Sequence, residues 1–265
     1  MKNAESYNKK LNELFEEWKN KSKENKHTQF CRDGLMYKGD VYDEINDLKS
    51  PGNEDELWHS APKRVLFLCK DGNNSGCSVT QDYKAWHYHK KGKNITKDFP
   101  RNIAYWLYGL LNVDETGLAP EFETLTVEKI TDFFDKTPFA LVNCKKEAGG
   151  GTVDGKVLQR HIDLYKEYIN KEIEILNPDI IVCGGTRKSF FYGSGNIYEP
   201  FQYISDNGWI YYNEPLKKLI IASWHPSYPK RSYGKVTEES VYTEMMAAYK
   251  EFIDKYPDFL KNNTR

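Results

Sequence analysis

Four short apolar runs in this chain each break on a polar group, and that repetition constrains the fold more than any other feature. Val65–Cys69 gives way to Lys70, Asp71 and Gly72, and Phe139–Val142 stops at Asn143. Ile180–Cys183 meets Gly184, Gly185 and Thr186, while Leu219–Ser223 leads into Trp224, His225, Pro226 and Ser227. Runs of this length suit buried strands. Set side by side in parallel, they bring an acid, an amide, a glycine turn and an imidazole to one sheet edge. Open α/β sheets hold their ligands at that edge.

Between the runs the pattern is helical. Residues 4–24 place Tyr7, Leu11, Leu14, Phe15 and Trp18 on one apolar stripe. Pro100 opens a second helix that reaches Leu111. A third, from about 156 to 176, carries Ile162, Tyr165, Ile169, Ile173 and Leu176, and a last amphipathic helix spans 237–256. Strands are predicted at 64–69, 138–143, after Pro178 and at 218–223, with a small β excursion among the aromatic residues of 190–212. Residues 25–60 are polar and turn-rich, which predicts a connecting arm rather than core. The long segment 71–99 is of the kind that is functional or disordered. Strands alternating with helices predict an α/β fold of three layers, α/β/α, around a central, mostly parallel four-stranded sheet. Residues 1–60 form an N-terminal helix and arm packed on the core, and 61–265 the α/β domain, one globular unit overall.

Composition narrows the functions open to such a fold. The 265 residues carry a formal net charge of −1, which excludes a globally basic nucleic-acid binder, so a nucleic-acid partner must meet a local patch. Basic doublets at Lys145-Lys146, Arg187-Lys188 and Lys230-Arg231 follow three of the strands, although Lys63-Arg64 and Lys217-Lys218 precede strands. No apolar stretch approaches the ~20 residues of a membrane helix, and Met1–Glu5 has no signal-peptide character, so a cytoplasmic monomer with no membrane contact is expected. The five cysteines are odd in number and include no C-x-x-C pair, which suits a reducing compartment. Cys69, Cys77 and Cys144 are near enough to strand ends to converge, but buried cysteine commonly behaves as a small apolar residue. No metal or cofactor is expected.

The chemistry lies in the terminal residues of the runs. Asp71 is placed to orient a water or act as a general base, or simply to cap a turn that Gly72 permits. Asn143 both donates and accepts, which suits the hydrogen-bonding edge of a nucleobase; capping the following loop is the plainer role. In His225-Pro226-Ser227-Tyr228-Pro229 two prolines stiffen the segment around an imidazole able to donate to an oxygen gaining negative charge. Packing of that ring against Trp224 is the structural alternative.

Taken in order, Lys70-Asp71-Gly72-Asn73, Phe139-Ala140-Leu141-Val142-Asn143 and His225-Pro226-Ser227-Tyr228-Pro229 resemble the motifs of the uracil-DNA glycosylase superfamily, and Leu176–Gly185 looks like that family's strand before its last motif. The resemblance spans roughly residues 64–255. It implies that Asp71 orients the attacking water or stabilises the sugar cation, that His225 hydrogen-bonds a carbonyl of the departing base, and that Asn143 reads that base. Gly72 and Asn73 stand where the best-known members have Pro and Tyr, implying a roomier pocket and a damaged or modified base. A flipped base needs an aromatic face, for which Tyr83, Trp86, His87 and Tyr88 are available and Trp86 is preferred. Ser227, Lys230, Arg231, Lys145 and Arg187 are the candidate contacts to DNA phosphates or duplex. The expected function is therefore hydrolysis of an N-glycosidic bond in DNA. A hydrolase of free nucleosides or nucleotides and a non-cleaving reader of modified nucleic acid are the alternatives.

Overall fold

The computed structural model describes residues 6–27, 29–39, 41–43, 48–73, 88–89, 92–93, 95, 97–149, 152–187, 198–229 and 236–261. The four apolar runs become β4 (Val65–Asn73), β7 (Ala140–Gly149), β8 (Ile180–Gly184) and β11 (Lys218–Ser223). They lie parallel in the order β7-β4-β8-β11. The sheet nevertheless has seven strands and is mixed, which corrects the expected four. Antiparallel β1 (Gly34–Leu35) extends it beyond β7, while β10 (Ile210–Asn213) and β9 (Tyr203–Ile204) extend it beyond β11. Two separate two-stranded pairs join β2 (Tyr42–Asp43) to β3 (Leu48–Lys49) and β5 (Tyr88–His89) to β6 (Gly92–Lys93).

Burial on both faces explains why the runs are continuously apolar instead of alternating. Phe67, Cys69, Leu141, Val182 and Ile221 pack on one side with helices α3 (Asp98–Leu111), α4 (Val127–Lys136) and α6 (Glu238–Lys255). Leu66, Leu68, Val142, Ile181 and Ile220 pack on the other with α1 (Tyr7–Glu24), α5 (Gly155–Leu176) and Trp58 of α2 (Glu54–Ser60). Helix limits follow local chemistry. Ser6 accepts from the Lys9 amide at the start of α1, Asp154 accepts from Lys156 and Val157 at the start of α5, and Thr237 and Ser240 form a capping box on α6. α5 stops where Asn177 turns left-handed (φ 44°) ahead of Pro178.

Two expectations change here. The stretch 25–60 contributes to the core: Leu35 pairs with Ala140, and Asp33, Met36, Trp58 and Glu54 are fully buried. Its buried polar residues find their partners in the interior, Glu54 in Asn8 and the Lys38 and Gly52 amides and Asp33 in Asn143 and Lys146, a pattern that composition disguises as surface. β4 and β7 also run several residues past the predicted strand ends, so Asp71 and Gly72 lie within β4 and not in the turn after it, and Asn143 lies inside β7 instead of at its end.

Candidate functional site

Strand register brings two of the candidate groups to one edge. Asp71 pairs with Lys145 across β4–β7, and Leu68 pairs with Cys183 across β4–β8. On β11, Ser223 pairs with Gly184. Asp71 is three residues past Leu68, and His225 is two past Ser223, so both stand just beyond the end of β8. With strands ~4.8 Å apart, the two residues are separated by about 10 Å across β8. The gap is closed by Lys70 and Gly185. Gly185 is left-handed (φ +71°), and a Cβ built on it would lie 3.0 Å from Lys70 Cε and 3.5 Å from His225 Cβ. A bare glycine thus lets the Lys70 stem and the His225 loop close over the end of β8.

Asp71 is held under tension between burial and charge. Its side chain is only 9% exposed and its Oδ2 has no hydrogen-bond partner among the described residues. Lys145 Nζ approaches to 3.6 Å, an ion pair but beyond hydrogen-bond length. Burial raises the carboxyl pKa above its ordinary value, and the nearby Lys145 and Lys70 cations oppose that rise without cancelling it. The register explains the fit. β7 advances four residues, from Lys145 to Gly149, while β4 advances two, from Asp71 to Asn73. This bulge lays Gly149 against the carboxylate, so closely that a Cβ there would stand 2.1 Å from Asp71 Oδ2.

His225 leaves β11 into a loop that a buried amide holds from below. Asn102 of α3 donates from Nδ2 to the carbonyls of Pro226 (2.7 Å) and Pro229 (3.2 Å). α3 is itself tied to α6 by the buried Arg101–Glu238 pair. The imidazole packs on Phe99, with ring centroids 5.4 Å apart, and not on Trp224. The Ser227 backbone N–H donates to Nδ1 at 3.3 Å, and the Ser227 hydroxyl lies 2.7 Å from the same atom. Because Nδ1 accepts, the neutral ring carries its proton on Nε2, which has no partner among the described residues. Burial first, and then Lys70, push the His225 pKa down to about 4, so the ring is a neutral donor at physiological pH.

Asn143 is positioned by a residue that sequence reasoning missed. Its backbone N–H and Nδ2 both donate to Asp33 Oδ2, at 2.8 and 3.0 Å. That contact fixes which way the amide faces, with Oδ1 receiving no hydrogen bond from a described residue. Asp33 also pairs with Lys146, whose Nζ reaches Glu172 Oε2 at 2.7 Å over the faces of Trp18 and Phe15. Burial drives the Glu172 pKa well above the carboxylate range. Burial also acts to lower that of Lys146, but Asp33 and Glu172 outweigh it and raise it. No local pattern marks Asp33, because its partners are more than a hundred residues away in the chain.

The remaining candidates divide. Lys145, expected to meet phosphate, is 7% exposed and spends its ammonium on Asp71 and on the Glu147 carbonyl at 2.9 Å. Lys146 is likewise buried, so the first basic doublet is internal. Arg187 stacks over Tyr211 at 4.9 Å, and its buried Nε has no hydrogen-bond partner among the described residues. Ser227 is exposed beside His225, and Gly72 is buried in β4. Asn73 ends β4, and its side chain, like the whole of Trp86, Tyr83, His87, Lys230, Arg231 and Cys77, lies outside the described residues. The aromatic surface the structure does place beside His225 is Trp224 stacked on Tyr228. Their rings are 4.9 Å apart and 15° from parallel, with 44% and 53% of their surfaces exposed. Both are visible in the sequence within the H-P-S loop.

Cys69 and Cys144 face opposite sides of the sheet, each fully buried. Burial raises both thiols. Among the described residues one group of metal-ligating side chains stands together, His27, Glu147 and His161, at the C-terminal end of β7. No helix of the described residues is long and apolar enough to cross a membrane. No family model matches the chain, and no curated protein matches it.

Proposed function

We propose that the chain is a hydrolase of the N-glycosidic bond, acting on a uracil-like, damaged or modified base flipped out of DNA. One observation carries the reading: Asp71, whose buried Oδ2 has no hydrogen-bond partner among the described residues, and His225, whose Nδ1 faces Ser227 and whose Nε2 has no partner among the described residues, stand on the same sheet edge. Cleavage needs both. As water adds to the sugar C1′ carbon, the C1′–N bond breaks and its electron pair leaves with the base. Asp71 takes the proton of the incoming water, a task its raised proton affinity favours. His225 donates from Nε2 to the base oxygen on which negative charge accumulates. Asn143, its orientation set by Asp33, offers Oδ1 to a base N–H.

The exposed Trp224–Tyr228 stack supports a nucleic-acid substrate, since bases stack on such surfaces. The test is an oligonucleotide panel carrying uracil, hypoxanthine, oxidised and hypermodified bases, followed by alkaline cleavage. Asp71→Asn and His225→Ala should each lower turnover on the accepted base by about 10²-fold. Near wild-type turnover in both variants, or no base released from any member of the panel, would overturn the reading.

A further inference from the structure

We propose that His27, Glu147 and His161 form a binding site for one divalent metal ion of the zinc class. Their ligand atoms all lie within 4.8 Å of one another, although they come from three separate parts of the chain. His161 sits on the second turn of α5. Glu147 is carried by the bulge of β7, where the four-to-two register shift turns the strand out of step with β4. His27 follows the end of α1, where Lys26 turns left-handed (φ 64°) and the His27 amide closes back onto the Ser22 carbonyl at 2.8 Å. Each ligand is thus delivered by a local departure from regular structure or by a helix face, and none by sequence spacing.

The donor set and the geometry agree. Two imidazoles and one carboxylate, with a fourth position open to solvent, are a recurrent zinc ligand set. Donors arranged tetrahedrally at about 2.0–2.1 Å from zinc are about 3.4 Å apart. His161 Nε2 and Glu147 Oε2 are already 3.5 Å apart. The two imidazoles stack with centroids 4.5 Å apart and planes 24° from parallel, so aiming both rings at one ion needs His27 to rotate as the ligand atoms close from within 4.8 Å of one another to about 3.4 Å. Its ring is half-buried. His27 Nδ1 lies 2.7 Å from the Tyr165 hydroxyl, which also accepts from Asn25 Nδ2 at 3.2 Å. With Nδ1 occupied in that way, Nε2 is the nitrogen presented to the ion, and Tyr165 is the outer partner that orients it. His161 is 6% exposed, and besides the His27 and Tyr165 rings its Nε2 faces Glu147 Oε2. An ion would replace the 3.5 Å approach of His161 to Glu147 with direct bonds to both side chains.

A metal here would also steady the bulge. Glu147 accepts Lys145 Nζ on its carbonyl, and Gly149, two residues on, abuts Asp71. The site is therefore independent of the proposed reaction but adjacent to its acid, and the binding measurement does not require activity. Chelator-treated protein should bind one equivalent of Zn2+ by calorimetry, show the visible bands of four-coordinate Co2+, and melt at a higher temperature with Zn2+. Glu147→Gln and His161→Asn should each abolish the stoichiometric binding, and Tyr165→Phe should weaken it by about tenfold or more. Glu147 is a quarter exposed, so that variant decides the matter if His161→Asn does not fold. Absence of saturable binding in wild type, or binding undiminished in Glu147→Gln, overturns the proposal.

Discussion

Lys146 is a buried cation with two carboxylates, and the arrangement makes an unusual prediction for stability. Asp33, Lys146 and Glu172 are 0%, 4% and 0% exposed. Three ionised groups would leave a net negative charge in the interior, and burial instead drives Glu172 toward its protonated form. Lys146 is then neutralised by Asp33, with Glu172 held in reserve. Glu172→Gln removes a group that carries little charge, so it should cost about 1 kcal/mol or less, the scale of one neutral hydrogen bond. Asp33→Asn keeps an acceptor for Asn143 and lets Glu172 give up its proton to take over the cation, for a cost of about 1–2 kcal/mol. The double variant leaves Lys146 with no counter-charge, and breaking a buried pair in that way costs about 3–5 kcal/mol. At about 2–4 °C per kcal/mol for a chain of this size, the double variant should melt about 6–20 °C below wild type. Urea unfolding of wild type, both singles and the double measures the coupling directly. If the double costs no more than the sum of the singles, or if Glu172→Gln alone costs as much as the double, the charge assignment is wrong.

Other tests act on the sheet edge. Gly149→Ala places a Cβ 2.1 Å from Asp71 Oδ2, forcing the carboxylate aside by about 1 Å, a displacement that can cost about 10²-fold in rate. Combined with Asp71→Asn it should lower turnover no further, and an additive loss would show that Gly149 acts elsewhere. The His225 pKa of about 4 in the folded chain lies below its ordinary 6.5. Between those values the unfolded chain takes up a proton that the folded chain refuses, so stability falls as pH drops across that window. Urea midpoints between pH 7 and 5 should therefore decline less steeply in His225→Asn than in wild type; parallel slopes would contradict the burial assigned to the ring.

What local sequence could specify, it specified. Continuous apolar runs such as Val65–Cys69 and Ile180–Cys183 encode strands covered on both faces, and 3.6-residue stripes such as Ile162–Tyr165–Ile169–Ile173 encode the helices that cover them. Pro226 and Pro229 mark a stiff loop at His225 without reference to anything distant. α4 is not among the expected helices, although the Thr126 cap and the apolar Ile130, Phe133 and Phe134 fall at helical spacing. Contacts between remote segments were not legible. Asp33 caps Asn143, Lys145 turns inward to Asp71, and the β7 bulge brings Gly149 and Glu147 to their partners, each through register. A strand's register depends on which neighbour it pairs with, and a slip of one residue sends every side chain to the other face. Charge shows the same division: a lysine doublet reads as surface from composition, and only the packed structure decides that Lys145 and Lys146 have carboxylates waiting inside. Residue order determined which groups could stand on the edge, and long-range packing determined which way each of them faces.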